Sequence, residues 1–120
     1  MSLRKNVAVA RKWNEEVINK QDADAITEVL HPQYHWRVGT NGPWSVSLEG
    51  VESVRRMWTD LFPKHPGLRV VVEDIFGQGD RVAVRMTHWE GDKPVRNGIA
   101  IYRFANGKII DDWACTTDLK

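Results

Sequence analysis

The sequence predicts an α+β fold, with three helices of the N-terminal half packed on a curved antiparallel sheet of the C-terminal half. Three observations predict it. Up to Phe62, apolar residues recur at three- and four-residue spacing. From Leu68 onward the period changes to two. The run from Asn97 to Trp113 then reads as an almost wholly apolar strand, a tight Asn-Gly turn and a returning strand.

The first helix is expected over Arg4 to Lys20, where Val7, Ala10, Asn14, Val17 and Gln21 form one stripe with Trp13 and Ile18 beside it. Asn14 sits in the middle of that stripe. Asp22 can cap a short second helix with Ile26, Val29 and Leu30 inward, and His31-Pro32 stops it. A short strand follows over Tyr34 to Val38, then a turn-rich segment from Thr40 to Trp44. Gly50 leads into a third helix that carries Val51, Val54, Met57, Trp58, Leu61 and Phe62 on one side and ends at Pro63.

Four strands complete the chain: Leu68 to Phe76, Asp80 to Trp89, Val95 to Phe104 and Lys108 to Thr117. A Gly91-Asp92 turn pairs Glu90 with Lys93, which sets Ala83 opposite Ala100 and Val84 opposite Ile99. That register puts Arg85 on the face of Asp112, and His88 with Ile99 and Ile101 on the other. Ala105-Asn106-Gly107 suits a three-residue loop with Phe104 opposite Lys108, giving a face of Ala100, Tyr102, Phe104, Ile110, Asp112 and Ala114. Both faces of the Val95 to Phe104 strand are apolar, so both need cover. The helices cover one, and a second subunit is the simplest cover for the other.

At 120 residues the chain is expected to be one domain spanning 1–120. Its formal net charge of +1 lacks the electrostatic footprint that holds nucleic acid or an anionic membrane, so neither partner is expected. Cys115 is the single cysteine, and the N-terminal residues lack the apolar core of a signal peptide, which points to a reduced, cytoplasmic protein. Six tryptophans are many for so small a chain, and they imply an aromatic-lined cavity or a buried partner interface.

Several motifs carry a family resemblance. They are Asn19-x-x-Asp22, Leu30 before a strand, Gly50 opening a helix, Gly79-Asp80-x-Val82, and Gly107-Lys108-Ile109 before Trp113. With these the chain resembles the SnoaL-like polyketide cyclases of the nuclear transport factor 2-like superfamily. The resemblance implies a cone-shaped sheet wrapped around helices, a cystatin-like α+β barrel. It also implies a pocket for a small hydrophobic molecule, no cofactor and a homodimer. Laid on the ketosteroid isomerase branch, the tyrosine acid falls at Asn14, the general base at Val38 and the oxyanion-binding acid at Ala100, so that apparatus is absent here. The aspartate that follows the Trp113 position in the epoxide hydrolase branch is Ala114. The Gly-Thr-His-x-Gly stretch of many cyclases is represented by Met86-Thr87-His88-Trp89-Glu90-Gly91.

The candidate chemistry rests on a few side chains. Asp112 shares a face with Ala100 and Tyr102, and a carboxyl in an apolar pocket gains a raised pKa and can act as acid or base; the plainer alternative is a charge at a strand end. Asn14 either makes a structural hydrogen bond or faces a wet cavity. With Tyr102 it would orient a ligand. Arg85 either pairs with Asp112, grips a substrate carboxylate, or is solvated. Trp36, Val38, Met57, Trp58 and Ala100 are expected to line the substrate site. His31, His35, His65 and His88 show no metal-ligand spacing, so no metal site is expected, and Cys115 is expected to be a buried apolar thiol. Two functions remain open: a cofactor-free isomerase, lyase or hydrolase, and a non-catalytic ligand-binding or dimerising module.

Overall fold

The computed structural model describes residues 2–41 and 46–119. Helix α1 (Leu3–Lys12) starts at Ser2, whose hydroxyl accepts the Lys5 N–H at 3.2 Å. It runs on as a π-helical turn, Trp13–Ile18, which buries Trp13, Asn14, Val17 and Ile18. Asp22 caps a 3-10 turn, Ala23–Ala25, through the Ala25 N–H, and α2 (Ile26–Val29) stops before His31-Pro32 as expected.

Strand β1 (Leu30–Thr40) is longer than the Tyr34 to Val38 segment the pattern marks. Pro32 falls where the pairing of β1 with its neighbour is irregular, between Leu30 and His35, so its missing N–H costs no ladder bond there. The rest of the turn-rich segment from Thr40 to Trp44 includes residues 42–44, which lie outside the described residues. After β2 (Val46–Glu49), Gly50 adopts φ +86° and donates its N–H to the Tyr34 carbonyl at 2.7 Å, turning the chain into α3 (Val51–Lys64). Pro63 does not end that helix. It sits in the last turn, where a proline removes one backbone bond, and His65 closes the end by donating to the Leu61 and Phe62 carbonyls.

Strands β3 (Leu68–Gln78), β4 (Arg81–Glu90), β5 (Lys93–Ala105) and β6 (Lys108–Asp118) form the expected antiparallel meander. The six-stranded sheet has the order β2-β1-β6-β5-β4-β3, with β1 parallel to β6. This curved sheet wrapped on N-terminal helices is the cystatin-like α+β fold.

Two bulges reset the registers that the turns alone imply. Glu90 does pair with Lys93, but Trp89 pairs with Pro94 and His88 with Arg96, leaving Val95 as an extra residue. Val84 therefore faces Ala100 and Arg85 faces Ile99, a one-residue slip that exchanges the faces of most of β4 relative to β5. In the last hairpin Asn106 (φ +53°) and Gly107 (φ +79°) form a two-residue loop with Ala105 opposite Lys108. Ile110 is then the bulged residue, and Ile109 takes its place in the core. Beyond it Tyr102 pairs with Asp112, two residues from the expected register, which leaves the face of Asp112 unchanged. The core joins Val82, Val84, Ala100, Tyr102 and Phe104 of the inner sheet face to Ala10, Trp13, Val17, Val54 and Phe62 of the helices.

Candidate functional site

A cavity of about 450 Å³ lies between the inner sheet face and the helices. Its aromatic wall comes from Trp13, Trp36 and Trp58. The Trp58 ring stands edge-on to Trp13 at 6.3 Å and stacks on Phe62 at 5.3 Å. Val38, Met57, Met86, Ala100 and Ala114 add apolar surface, so Trp36, Val38, Met57, Trp58 and Ala100 all line this one cavity.

Asn14, Tyr102 and Asp112 converge at one end of this cavity. The π-turn sets the first of them: Asn14 donates its side-chain amide to the Ala10 carbonyl at 2.9 Å and to the Tyr102 hydroxyl at 3.0 Å. Because a carbonyl can only accept, the contact with Ala10 fixes which amide atom is nitrogen. The Tyr102 oxygen therefore accepts, and no described residue takes the hydroxyl hydrogen. Burial, reinforced by the nearby Asp112 charge, holds the Tyr102 phenol well above its ordinary pKa, so it keeps that hydrogen.

Asp112 is 3% exposed. Its Oδ2 accepts the Tyr34 hydroxyl at 2.6 Å, and its Oδ1 has no partner among the described residues. Burial pushes the carboxyl up to about 7 against the opposing pulls of the Tyr34 hydrogen bond and the Arg37 charge. Asp112 lies two residues before Ala114 on the inner face of β6 and opposite Trp36 on β1. The carboxyl thus sits one pleat deeper than the position the epoxide hydrolase resemblance marks.

The bulge at Val95 removes Arg85 from the site and brings His88 in. Arg85 is on the outer face, half exposed, with its Nε donating to Asp74 at 2.7 Å, so it neither pairs with Asp112 nor reaches the cavity. His88 lines the opposite end of the cavity with Glu90 and Arg96, instead of standing beside Ile99 and Ile101. Burial and then the Arg96 charge push its imidazole down to about 4, so it is neutral at physiological pH. Tyr102 and Arg96 are six positions apart on β5, about 20 Å, so Asp112 and His88 address opposite ends of the cavity. His35 bonds Ser47 at 2.7 Å and Arg37 at 2.6 Å on the other face. Cys115 is exposed, not buried, because its partner across the strand is the outer-face residue Ile99. Among the described residues no three His, Cys, Asp or Glu side chains come together as a metal site. Of the remaining tryptophans, Trp113 carries Arg37 and Arg81 over its ring on the outer face, Trp89 carries Arg69, and Trp44 lies outside the described residues.

Tyr34 is the residue of this cluster that sequence reasoning missed. Its alternation with Trp36 and Val38 places it on the inner face, but nothing in the sequence joins it to a carboxylate 78 positions away.

Residues 10–111 match the model of the SnoaL-like domain. Among solved structures, a nuclear transport factor 2-like protein of unknown function from Mesorhizobium loti superposes with a TM-score of 0.80 at 21% identity, covering 95% of this chain and 92% of its own. A candidate SnoaL-like polyketide cyclase from Jannaschia sp. CCS1 gives 0.73 at 25% identity over 94% and 85%. A protein of unknown function with a cystatin-like fold from Methylobium petroleophilum PM1 gives 0.80 at 16% identity over 95% and 76%. No curated protein matches the sequence. The chain belongs to the SnoaL-like domain family, within the nuclear transport factor 2-like fold.

Proposed function

From membership in that family, we propose that the chain is a cofactor-free acid/base enzyme of the isomerase, lyase or hydrolase type, acting on a small, largely apolar molecule held in the tryptophan-walled cavity. One observation carries this reading: a buried carboxyl, Asp112, stands in the wall of the cavity together with Tyr102 and Asn14, and its burial pushes its pKa up to about 7. The Asp112 carboxylate can take the proton from the carbon beside a ligand's carbonyl and return it there, while the Tyr102 hydroxyl donates to that carbonyl oxygen and Asn14 orients Tyr102. Donors fixed before charge develops on that oxygen stabilise it more than mobile water does. The candidate polyketide cyclase from Jannaschia, which shares the fold, supports a substrate that carries a carbonyl.

A second reading is a ligand-binding module without catalysis. Among the described residues, Val38, Ala100 and Ala114 leave no second carboxyl or imidazole beside Asp112 in the cavity, and His88 is at the far end. Incubation with apolar cyclic ketones in deuterated water, followed by proton NMR, separates the two. The enzyme reading expects exchange beside the carbonyl that falls by about 100-fold or more in Asp112→Asn. Binding of the same ketones with no exchange favours the module.

The outer face supplies the rest of the reading. Phe76, Ile99 and Ile101 are 67%, 55% and 42% exposed there, and a second copy of the chain is the cover we assign to them. On this reading the protein is a homodimer joined through that face. Among the described residues no helix is long and apolar enough to cross a membrane.

A further inference from the structure

We propose that His88 and Arg96 form a second recognition point in the cavity, which takes a hydroxyl group on the end of the ligand farthest from Tyr102. The inference rests on the reading of the cavity as a substrate site and adds the substrate class: an elongated apolar skeleton with a carbonyl at one end and a hydroxyl at the other. His88 and Arg96 are cross-strand partners of β4 and β5, and both line the cavity. Between Arg96 and Tyr102 the inward positions of β5 are Gly98 and Ala100, so no large side chain of this strand divides the two ends.

Neither ring nitrogen of His88 has a hydrogen-bond partner among the described residues, and neither is sealed from open space. Both are therefore free for a ligand in the cavity that the ring lines. Burial and the Arg96 charge hold the imidazole neutral, with one N–H to donate and one lone pair to accept. Arg96 is aimed by a fixed carboxylate. Its Nε donates to Asp118 Oδ1 at 2.8 Å, and Asp118 is itself held by Asn41, whose amide donates to Oδ2 at 3.1 Å and accepts the Asp118 N–H at 2.9 Å. That leaves the terminal guanidinium nitrogens without a partner among the described residues. The charges at this end select a neutral polar group. A ligand ammonium beside His88 would meet the same Arg96 charge that keeps the imidazole unprotonated. A ligand carboxylate would find Arg96 already neutralised by Asp118, and Glu90, 3.1 Å from His65, brings a second carboxylate to this end. A hydroxyl carries no charge to desolvate, and it can donate to the imidazole lone pair while accepting from Arg96.

Calorimetric binding of four rigid cyclic ketones of one skeleton, carrying a hydroxyl, methyl, carboxylate or ammonium group at the position farthest from the carbonyl, tests this. The hydroxyl ketone is expected to bind about tenfold tighter than the methyl one, the preference one satisfied hydrogen bond provides. His88→Leu is expected to erase that preference and Arg96→Met to reduce it. In the wild type, the nitrogen NMR resonances of the His88 ring are expected to move further with the hydroxyl ketone than with the methyl one, which decides the matter if the variants do not fold. Tightest binding by the carboxylate or the ammonium ketone overturns the proposal. Equal binding of the hydroxyl and methyl ketones, with exchange beside the carbonyl still dependent on Asp112, overturns it while leaving the substrate-site reading intact. No binding of any of the four overturns both.

Discussion

The Asn14 amide lies 3.0 Å from the Tyr102 hydroxyl, and this contact ties the π-turn of the first helix to the centre of the sheet. Asn14→Leu leaves the Tyr102 oxygen without its donor, while the Ala10 carbonyl keeps the Trp13 N–H, so a loss of about 1–3 kcal/mol is expected in urea denaturation. A cycle with Tyr102→Phe isolates the shared part. Strict additivity of the two losses would show that the contact contributes nothing.

Asp112 makes the fold less stable as pH rises. Its folded pKa of about 7 stands above the unfolded value of 3.8, so the folded state prefers the protonated acid. The contribution is fully present below pH 3.8 and is lost as pH rises through about 7, a swing of about 4 kcal/mol at 1.36 kcal/mol per unit. Asp112→Asn should therefore stabilise the protein at pH 8 and change little at pH 4, as read by thermal melts across that range. Equal effects at both ends would remove the case for a buried titrating acid.

His88 works in the other direction. Its folded pKa of about 4 is below the unfolded 6.5, so stability is full above pH 6.5 and is lost as pH falls through about 4. The swing is of order 3 kcal/mol at most. His88→Gln is expected to flatten the acid limb of the stability curve without touching the alkaline limb. Proton NMR of the imidazole gives the midpoint directly, and a value near 6.5 would contradict its placement inside the cavity.

If a second copy covers the outer face, Ile101→Glu should abolish the dimer, since an unpaired charge would be buried in the interface. Sedimentation of wild type and variant at micromolar concentration checks this. A wild type that sediments as a monomer at every concentration rejects the covered face.

The layering of helices on a meander was legible because period in a sequence maps directly onto which element can bury one face. The aromatic wall was legible for the same reason: Trp36 and Val38 alternate inward on β1, and Met57 and Trp58 share a helical face. Asp112 kept its predicted face because its hairpin was misregistered by two residues, and an even error preserves parity. Arg85 and His88 changed places because the bulge at Val95 introduces an odd one. A bulge is a local excess of one residue, and its one signal here, Pro94 in an interior strand, marks an irregularity without saying which residue is extra. Tyr34 escaped notice because an inward tyrosine on a strand looks like core until its hydroxyl finds a partner.

The Val95 bulge makes the cavity lining sensitive to chain length more than to side-chain identity. Removing that one residue would force β4 and β5 to choose between the hairpin pairing of Glu90 with Lys93 and the core pairing of Val84 with Ala100. Keeping the hairpin would drive Val82, Val84 and Met86 toward solvent and turn Arg81 and Arg85 into the core, a rearrangement no point substitution on the wall could produce. A deletion at this position would thus rebuild the lining of the cavity, although Val95 itself sits at its edge.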